Sequence, residues 1–586
     1  MKNLPVVLLT CAGLMTTTST MSSENNDGAA KFRALADQYF SDVMFRYGPT
    51  NATFIGFHQY DTKLEDYSRA GVDVEVAALK EFEWKFDDYP EAGLDESTRG
   101  DLAIMRNVVR STLLELETVR SWEKNPDVYS SGITNSAFVL MERDFAPVDD
   151  RLRSLIAREK QMPAVFDNAR QNLRNPPRIY TEVALEQLPG IIDFFRHDVP
   201  DAFKTAKDPA SLVEFQKSNA QVIAALESYQ KWLKTDLLAR SNGDFRIGAD
   251  TFGKKLLYDE MVDTPLDRLL QIGYDDLHHN QAEFKRVAKE IDPNKSAKEV
   301  LAELAAIHPP PDQLLQSFRN TFSSLIAFIN AKKIITIPST IEPTLEETPP
   351  FMRATTQASM DTPGPFERHS TTALFNVTLP EKNWPAGRVN DYMAAFNRGT
   401  IISTSVHEAY PGHYVQFLWV NHGNLSTVRK LTGANTNIEG WAHYCEQMML
   451  DQGYNQPGVG ARDERESHLI RLGQLQDALL RDARFIVGIR LHTQEMTLQE
   501  AEDFFVNEGY QSRAIAEVET KRGTSDPTYL YYTLGKLEIM KLRSDLQKKE
   551  GANFSLEGFH DDFMRQGAAP IKIVRKALLG GDSPTL

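Results

Sequence analysis

The chain has 586 residues, of which 41% are hydrophobic and 25% are charged, an ordinary balance for a soluble globular protein. Its formal net charge of −16 argues against nucleic acid or an anionic lipid surface as the main partner. The two cysteines are Cys11, near the start, and Cys445, so an internal disulfide or a cysteine-based metal site is excluded from the body of the chain. Cys445 is predicted to be a buried thiol.

Residues 1–22 are predicted to be an export signal. The start Met1–Asn3 carries one lysine, and the apolar run Leu4–Met15 that follows is too short to cross a bilayer. The stretch Leu8–Cys11 resembles the site at which bacterial lipoproteins are lipidated, and cleavage within Ser19–Ser22 is the alternative. We therefore expect an exported protein, either periplasmic or anchored to the membrane as a lipoprotein.

From residue 30 onward, the spacing of apolar residues predicts helices almost throughout. Apolar positions recur at helical steps over Leu212–Leu237, Leu314–Ile329 and Glu464–Thr493. Thr497 and Glu500 have the spacing of a capping box that starts a further helix. We predict one large helical domain over residues 30–586, arranged in one or two lobes.

Two β-rich runs interrupt the helical pattern. Ile334–Pro338 and Leu374–Leu379 are predicted strands, and a proline ends or follows each of them. The intervening segment Glu342–Glu367 is rich in proline and threonine and is predicted to be irregular. The expected fold is therefore mainly α, with a small β-sheet beside a central cleft. The strand Leu374–Leu379 is expected to pair with an extended peptide by edge addition.

His407, Glu408 and His413 carry the strongest chemical signal in the chain. In the usual His-Glu-x-x-His motif, a four-residue step turns a helix by about 400° and brings both imidazoles to one face. The step here is six residues, about 600°, which on a regular helix would put the rings on different sides. Pro411 forces the helix to widen or break, and Gly412 tolerates the altered backbone. We therefore predict a bulge that returns His413 to the face of His407.

A second set of candidate residues occupies a predicted helix over Asn437–Gln447. Glu439, His443 and Glu446 are separated by steps of four and three, so they share a helix face. Glu439 is the natural third ligand, although a carboxylate near a helix start is also favoured by the helix dipole. His443 and Glu446 would orient a ligand imidazole, while His443 could also be a packed core histidine or a substitute ligand.

These residues belong to a wider resemblance. The stretches H-E-A-Y-P-G-H-Y-V-Q and E-G-W-A-H-Y-C-E resemble the paired signatures of a bacterial family catalogued as domain of unknown function 885. The likeness extends to P-T-N-A-T-F-I-G-F-H-Q-Y-D, from Pro49, and to D-P-T-Y-L-Y-Y-T-L-G-K-L, from Asp526. It implies a zinc peptidase related to helical zincins, such as thermostable carboxypeptidases and oligopeptidases.

The resemblance also implies roles for individual residues. The three zinc ligands would be His407, His413 and Glu439. Glu408 would be the general base, and a tyrosine near Gly535 would donate to the oxyanion; among the candidates we choose Tyr532. The chain departs from the family in having Tyr414 where a second histidine is frequent, and Thr528 where a glutamine is usual.

We therefore expect an exported zinc-dependent peptidase that acts on short peptides by means of activated water. Two other functions fit the same residues. One is a non-catalytic peptide-binding lipoprotein that keeps the zincin-like fold, and the other is a zinc amidase acting on a non-peptide amide. The sequence does not distinguish exopeptidase from endopeptidase action, nor does it indicate the oligomeric state.

Overall fold

The computed structural model describes residues 18–349, 353, 356–382, 384–493 and 496–586. The predicted lipidation site and most of the predicted export signal lie outside these residues. The fold is mainly α with one small sheet, as the sequence predicts. Among the helices in the described ranges, not one combines the length and apolar character needed to span a bilayer.

Helices make up most of the chain before residue 261. They are α1 (Thr18–Tyr39), α2 (Phe45–Tyr47), α3 (Pro49–Ile55), α4 (Arg69–Asp87), α5 (Glu96–Leu114), α6 (Ser121–Lys124), α7 (Asp127–Met141), α8 (Val148–Glu159), α9 (Met162–Asn172), α10 (Arg178–Asp193), α11 (Val199–Ala202), α12 (Pro209–Trp232), α13 (Leu238–Arg240) and α14 (Gly248–Glu260). A π-helical turn, Leu233–Leu237, joins α12 to α13. The helix predicted over Leu212–Leu237 is therefore confirmed.

The remaining helices include those that carry the candidate site. They are α15 (Leu266–Ile291), α16 (Ala297–Ala305), α17 (Leu314–Lys332), α18 (Ala386–Met393), α19 (Arg398–Glu408), α20 (His413–His422), α21 (Thr427–Leu431), α22 (Asn435–Asp451), α23 (Glu464–His492), α24 (Leu498–Asn507), α25 (Arg513–Ser525), α26 (Tyr531–Glu550), α27 (Leu556–Met564) and α28 (Ile571–Leu579). The predicted helices at α17 and α23 are confirmed, and Thr497 with Glu500 forms the predicted capping box before α24.

The sheet contains β1 (Thr344–Glu347), β2 (Ala358–Asp361) and β3 (Leu374–Val377), in the order β1-β3-β2. Strand β3 runs parallel to β1 and antiparallel to β2. The predicted strand at Leu374 is confirmed, but it is the central strand, so the expected edge addition of a peptide to it is wrong. The segment predicted to be irregular supplies both of its partners.

The strand predicted at Ile334–Pro338 is also wrong, because this run has no ladder with another strand. Ile334 and Ile335 are buried, which explains the apolar pattern. Side chains replace the missing strand partner: the Thr336 N–H donates to Asp561 Oδ1 at 2.9 Å, and His560 Nδ1 donates to the Ile334 carbonyl at 2.7 Å. Satisfied polar groups therefore allow an extended segment to pack directly on helices.

Two large hydrophobic clusters form the core. One is built from α7 to α12, and the other joins α1, α5, α17, α19, α20, α22 and α26 to the sheet. Helices α22 and α26 touch through their backbones, since a Cβ at Gly535 would lie 1.9 Å from the Thr436 carbonyl oxygen. Helix α19 packs against both α22 and α23. The division of the domain into one or two lobes stays a prediction.

Candidate metal centre

The chain breaks between the two candidate histidines. Helix α19 ends at Glu408 and α20 begins at His413, and the Gly412 N–H donates to the Val406 carbonyl at 2.9 Å. A Cβ at Gly412 would lie 1.8 Å from the His407 carbonyl oxygen, so this close approach requires glycine. The predicted departure from a regular helix is confirmed, and it is a complete break rather than a bulge inside one helix.

The break brings both imidazoles to the same point. The Nε2 atoms of His407 and His413 each lie 3.3 Å from Glu439 Oε2, and possible ligand atoms of all three residues lie within 4.8 Å of one another. The two rings stand nearly perpendicular, at 89°, with centroids 4.7 Å apart. The structure thus assembles the three residues that the sequence suggests as metal ligands, and their binding of a metal stays a prediction.

Two hydrogen bonds fix the break against the helix that carries Glu439. Trp441 Nε1 donates to the Pro411 carbonyl at 3.0 Å, and Gln416 Nε2 donates to Asn437 Oδ1 at 2.8 Å. All four groups are buried. Residues of α22 therefore hold the loop and the first turn of α20, and with them the position of His413.

A buried carboxylate, Glu446, connects three basic groups behind the cluster. Its Oε1 accepts from His407 Nδ1 at 2.7 Å and lies 3.1 Å from Arg481 Nη2, while its Oε2 lies 3.2 Å from His443 Nδ1. Because Nδ1 of His407 is engaged, Nε2 is the nitrogen left to face Glu439. The structure places Glu446 behind His407, and His443 behind Glu446, outside the group of possible ligand atoms.

The local field at the cluster favours a cation. Burial lowers the pKa of His407, but the neighbouring carboxylates of Glu439 and Glu446 outweigh that effect and raise the pKa to about 9. Burial would raise the pKa of Glu439, yet the two imidazoles beside it hold it well below its usual value. Burial also lowers the pKa of His443 to about 4, so that ring stays neutral.

Glu408 and Tyr532, the predicted catalytic residues, have different surroundings. Glu408 is buried at the last position of α19, and its carboxylate has no hydrogen bond or ion pair to the part of the chain that the structure describes. The Tyr532 hydroxyl donates to Glu439 Oε1 at 3.0 Å. Burial, the largest effect, raises the pKa of Tyr532 to about 12, so its hydroxyl remains a donor at neutral pH.

Sequence reasoning missed the arginines around Tyr532. The guanidinium carbons of Arg481 and Arg484 lie 5.6 and 5.0 Å from the Tyr532 ring centroid, and Arg484 also forms a two-bond ion pair with Glu519. The sequence feature that could have indicated these arginines is the spacing of Asp477, Arg481 and Arg484 at i, i+4 and i+7, which places the three charges on one face of α23. Such a charged face normally points to solvent, but both arginines here are largely buried.

Comparisons with known proteins agree on a family and a fold. A family model described as "Bacterial protein of unknown function (DUF885)" matches residues 49–578. The structure of a proposed lipoprotein of unknown function from Shewanella oneidensis is 26% identical, with a TM-score of 0.76, and the match covers 94% of this chain and 99% of that one. A proposed lipoprotein from Colwellia psychrerythraea is 17% identical, with a TM-score of 0.77, over 95% and 98%. No curated protein matches the chain.

Proposed function

The chain belongs to the bacterial protein family DUF885, whose function is unknown, and we propose that it is a zinc-dependent peptidase. The observation that carries the proposal is the buried Glu439 Oε2. It lies 3.3 Å from both imidazole Nε2 atoms, yet it makes no hydrogen bond of normal geometry within the described chain. An ion between these three groups would satisfy that oxygen.

The chemistry of the donors fits zinc. Two imidazole nitrogens and one carboxylate oxygen, without a thiolate, are the three protein ligands of many catalytic zinc sites, which keep a further position open. The carboxylate behind His407 also matches the way in which a ligand imidazole is usually oriented. We infer that His407, His413 and Glu439 hold the ion.

When bound, zinc supplies Lewis acidity, which polarises a peptide carbonyl and lowers the pKa of water. Glu408 follows a ligand directly, and its carboxylate has no partner among the described residues, so it is available to accept a proton from water and deliver it to the leaving amine. The Tyr532 hydroxyl would turn from Glu439 Oε1 toward the developing oxyanion. This role for Glu408 distinguishes the proposal from a binding protein, which has no use for a base.

We also propose that the protein is exported and held at a membrane by a lipid. The support is the predicted signal in residues 1–22 and the description of the similar Shewanella oneidensis protein as a proposed lipoprotein. Palmitate labelling of expressed protein, compared with a Cys11→Ala variant, would test this anchor. Labelling that persists in the variant would contradict it.

Glu408→Gln is the decisive test of the catalytic proposal. The amide cannot take a proton from water, so cleavage of a mixed peptide library should fall by roughly 10²–10⁴-fold while zinc content and melting temperature stay unchanged. Glu464→Gln, at the exposed start of α23, is the matched control and should behave like the wild type. Library cleavage followed by mass spectrometry also identifies the bonds that are cut.

Each other outcome has a distinct meaning. Unchanged turnover in Glu408→Gln would remove Glu408 from the mechanism. Loss of zinc in this variant would make it a ligand. A wild type that holds zinc and retains peptides but cleaves none would favour a peptide-binding protein. Cleavage of non-peptide amides alone would favour the amidase.

A further inference from the structure

A third arginine, Arg522 of α25, reaches the hydroxyl of Tyr532. Its Nη2 lies 3.4 Å from the hydroxyl oxygens of both Tyr531 and Tyr532. The Tyr532 hydroxyl in turn donates to Glu439 Oε1 at 3.0 Å. Two hydrogen bonds therefore connect Arg522 to a proposed metal ligand, by way of the residue proposed to support the oxyanion.

The contact that Arg522 makes with Tyr532 differs from those of the other two arginines. Arg481 and Arg484 lie over the Tyr532 ring, and each guanidinium is held by a buried glutamate. Arg522 instead contacts the hydroxyl, and the other described residue that bonds to this hydroxyl is Glu439. Arg522 is therefore the basic residue that can fix the orientation of the hydroxyl.

The donor capacities of the two groups determine where the Tyr532 proton points. A tyrosine hydroxyl can donate one proton and can also accept, whereas a guanidinium only donates. Arg522 therefore occupies a lone pair of the Tyr532 oxygen, and the hydroxyl proton is directed to Glu439. Because the O–H bond can rotate while its oxygen stays in place, the bond from Arg522 can persist when the proton turns toward an oxyanion.

Tyr531 contacts the same guanidinium but directs its proton elsewhere. Its hydroxyl donates to Asp526 Oδ2 at 3.0 Å. The same carboxylate oxygen accepts from Nε and Nη2 of Arg522, at 3.3 and 3.2 Å. Asp526 thus holds both Arg522 and Tyr531, and of the two neighbouring tyrosines it is Tyr532 whose proton is aimed at the candidate metal centre.

We propose that Arg522 is a positioning residue for Tyr532, which holds the phenol oxygen and directs its proton to the candidate metal centre and, during hydrolysis, to the oxyanion. The inference rests on the proposed peptidase function. The bond from a charged donor also polarises the hydroxyl and strengthens it as a donor. Because Arg522 acts through Tyr532 and not on the substrate, its loss should lower kcat and leave KM nearly unchanged.

Arg522→Ala, Tyr532→Phe and the double variant test this assignment, with the zinc-loaded, full-length protein and a peptide that the library shows to be cleaved. Tyr532→Phe should lower kcat by roughly 10²–10³-fold, as the loss of one oxyanion donor does. Arg522→Ala should lower kcat by roughly 10–100-fold, the usual worth of a hydrogen bond from a charged donor. The double variant should be no slower than Tyr532→Phe, since Arg522 acts through that hydroxyl.

Chemical rescue gives a readout that a merely structural role would not move. The Arg522 side chain is 35% exposed, so ethylguanidinium added to the solution can enter the space that it leaves. The additive should restore turnover in Arg522→Ala but not in the double variant. Arg170→Ala is the matched control and should behave like the wild type, because its guanidinium is 29% exposed, pairs with Asp167 on its own helix and lies beside Trp232.

Three kinetic results would overturn the assignment and leave the peptidase proposal standing. The first is an unchanged kcat in Arg522→Ala. The second is a double variant in which the two losses multiply, because Arg522 would then act independently of Tyr532. The third is a loss that appears mainly in KM, which would mean that Arg522 contacts the substrate.

A measurement that needs no turnover separates the two proposals. In protein labelled with a carbon isotope at the tyrosine Cζ atoms, the NMR signal of Tyr532 is the one missing from Tyr532→Phe. Arg522→Ala should shift this signal and Arg170→Ala should not. A shift in a protein that cleaves no peptide would support the contact and contradict hydrolysis. An unshifted signal would overturn the role of Arg522 whether or not peptides are cleaved.

Discussion

The cluster built from α7 to α12 and the helices around the candidate metal centre are both buried, but they bury different chemistry. In the first, side chains such as Val222, Leu226 and Tyr229 are fully enclosed and most of the buried side chains are apolar, although α8 also buries Arg158 and Glu159 completely. In the second, Glu446 and His443 are as deeply enclosed, and charge pairs replace apolar contacts. Apolar burial stabilises a fold directly. In a buried ion pair, the attraction between the charges is largely cancelled by the free energy of removing them from water. The second arrangement therefore points to function.

The largest difference between the two regions should appear in metal binding. His407→Ala removes an imidazole of the proposed zinc site, so zinc affinity should fall by more than the roughly 10–100-fold typical of residues behind a ligand. His422→Ala, at the far end of α20, is the control, because among the described residues its ring bonds only to the Leu418 carbonyl. Zinc per chain, measured by elemental analysis after dialysis, checks the result. Equal zinc in both variants would contradict the site.

Arg481→Met tests whether the charge network supports both the fold and the metal. Removing this guanidinium takes one partner from the buried Glu446, which should cost about 3–5 kcal/mol of unfolding free energy. Zinc affinity should also fall by roughly 10–100-fold, because Glu446 orients His407. Denaturant unfolding and zinc titration check the two effects.

The control for this variant lies on the same helix. Arg471→Met breaks a more exposed ion pair with Asp451 and should cost no more than about 1 kcal/mol. If Arg481→Met were equally mild, the network around Glu446 would not be the rigid support that its contacts indicate.

Leu226→Ala should produce the opposite pattern in the apolar cluster. A fully buried leucine truncated to alanine costs about 2–5 kcal/mol, because it loses burial and leaves a cavity. Zinc affinity should not change, since α12 contributes no residue to the candidate metal centre. Val213→Ala, on the exposed face of the same helix, is the control. A loss of zinc in Leu226→Ala would show that the two regions are coupled.

A pH-dependent effect is expected from the one buried acid that α8 places in the apolar cluster. Burial raises the pKa of Glu159 to about 8, against the hydrogen bond that Ser218 donates. A raised carboxyl pKa means that the folded state holds more protons between the unfolded pKa of 4.5 and about 8. This contribution to stability is complete at low pH and is lost as the pH rises through that range.

Glu159→Gln should remove this dependence. The slope of unfolding free energy against pH in the wild type would be at most about 1.4 kcal/mol per pH unit steeper than in the variant. Urea unfolding of both proteins at several pH values checks it. Parallel curves would mean that Glu159 is ionised in the folded protein.

The contrast between the apolar cluster and the charged candidate site also explains which features could be predicted from the sequence. Helices such as α12 and α17 were predictable because their apolar residues recur at helical spacing. The candidate ligands were predictable because few arrangements other than a metal site combine His407, Glu408 and His413 with a following Glu439. Arg481 was not, since a charged position on a helix looks the same whether it meets solvent or a buried partner. The central position of β3 was not predictable either, because the order of strands in a sheet depends on contacts between residues far apart in the sequence. The same holds for the hydrogen bonds of His560 and Asp561 with the segment at Ile334, which take the place of a neighbouring strand.

The break at Gly412 has a consequence for how such sites are detected. A pattern search that requires His-Glu-x-x-His passes over this chain, because the interval between the histidines is six residues. Yet the two imidazoles converge, with both Nε2 atoms 3.3 Å from Glu439 Oε2, the arrangement proposed to hold one ion. The number of residues between two candidate ligands therefore depends on the path of the backbone between them, and a different number does not exclude a shared site. A search for one histidine at the end of a helix and another in the first turn of the next helix would find candidate sites that a motif with a fixed interval misses.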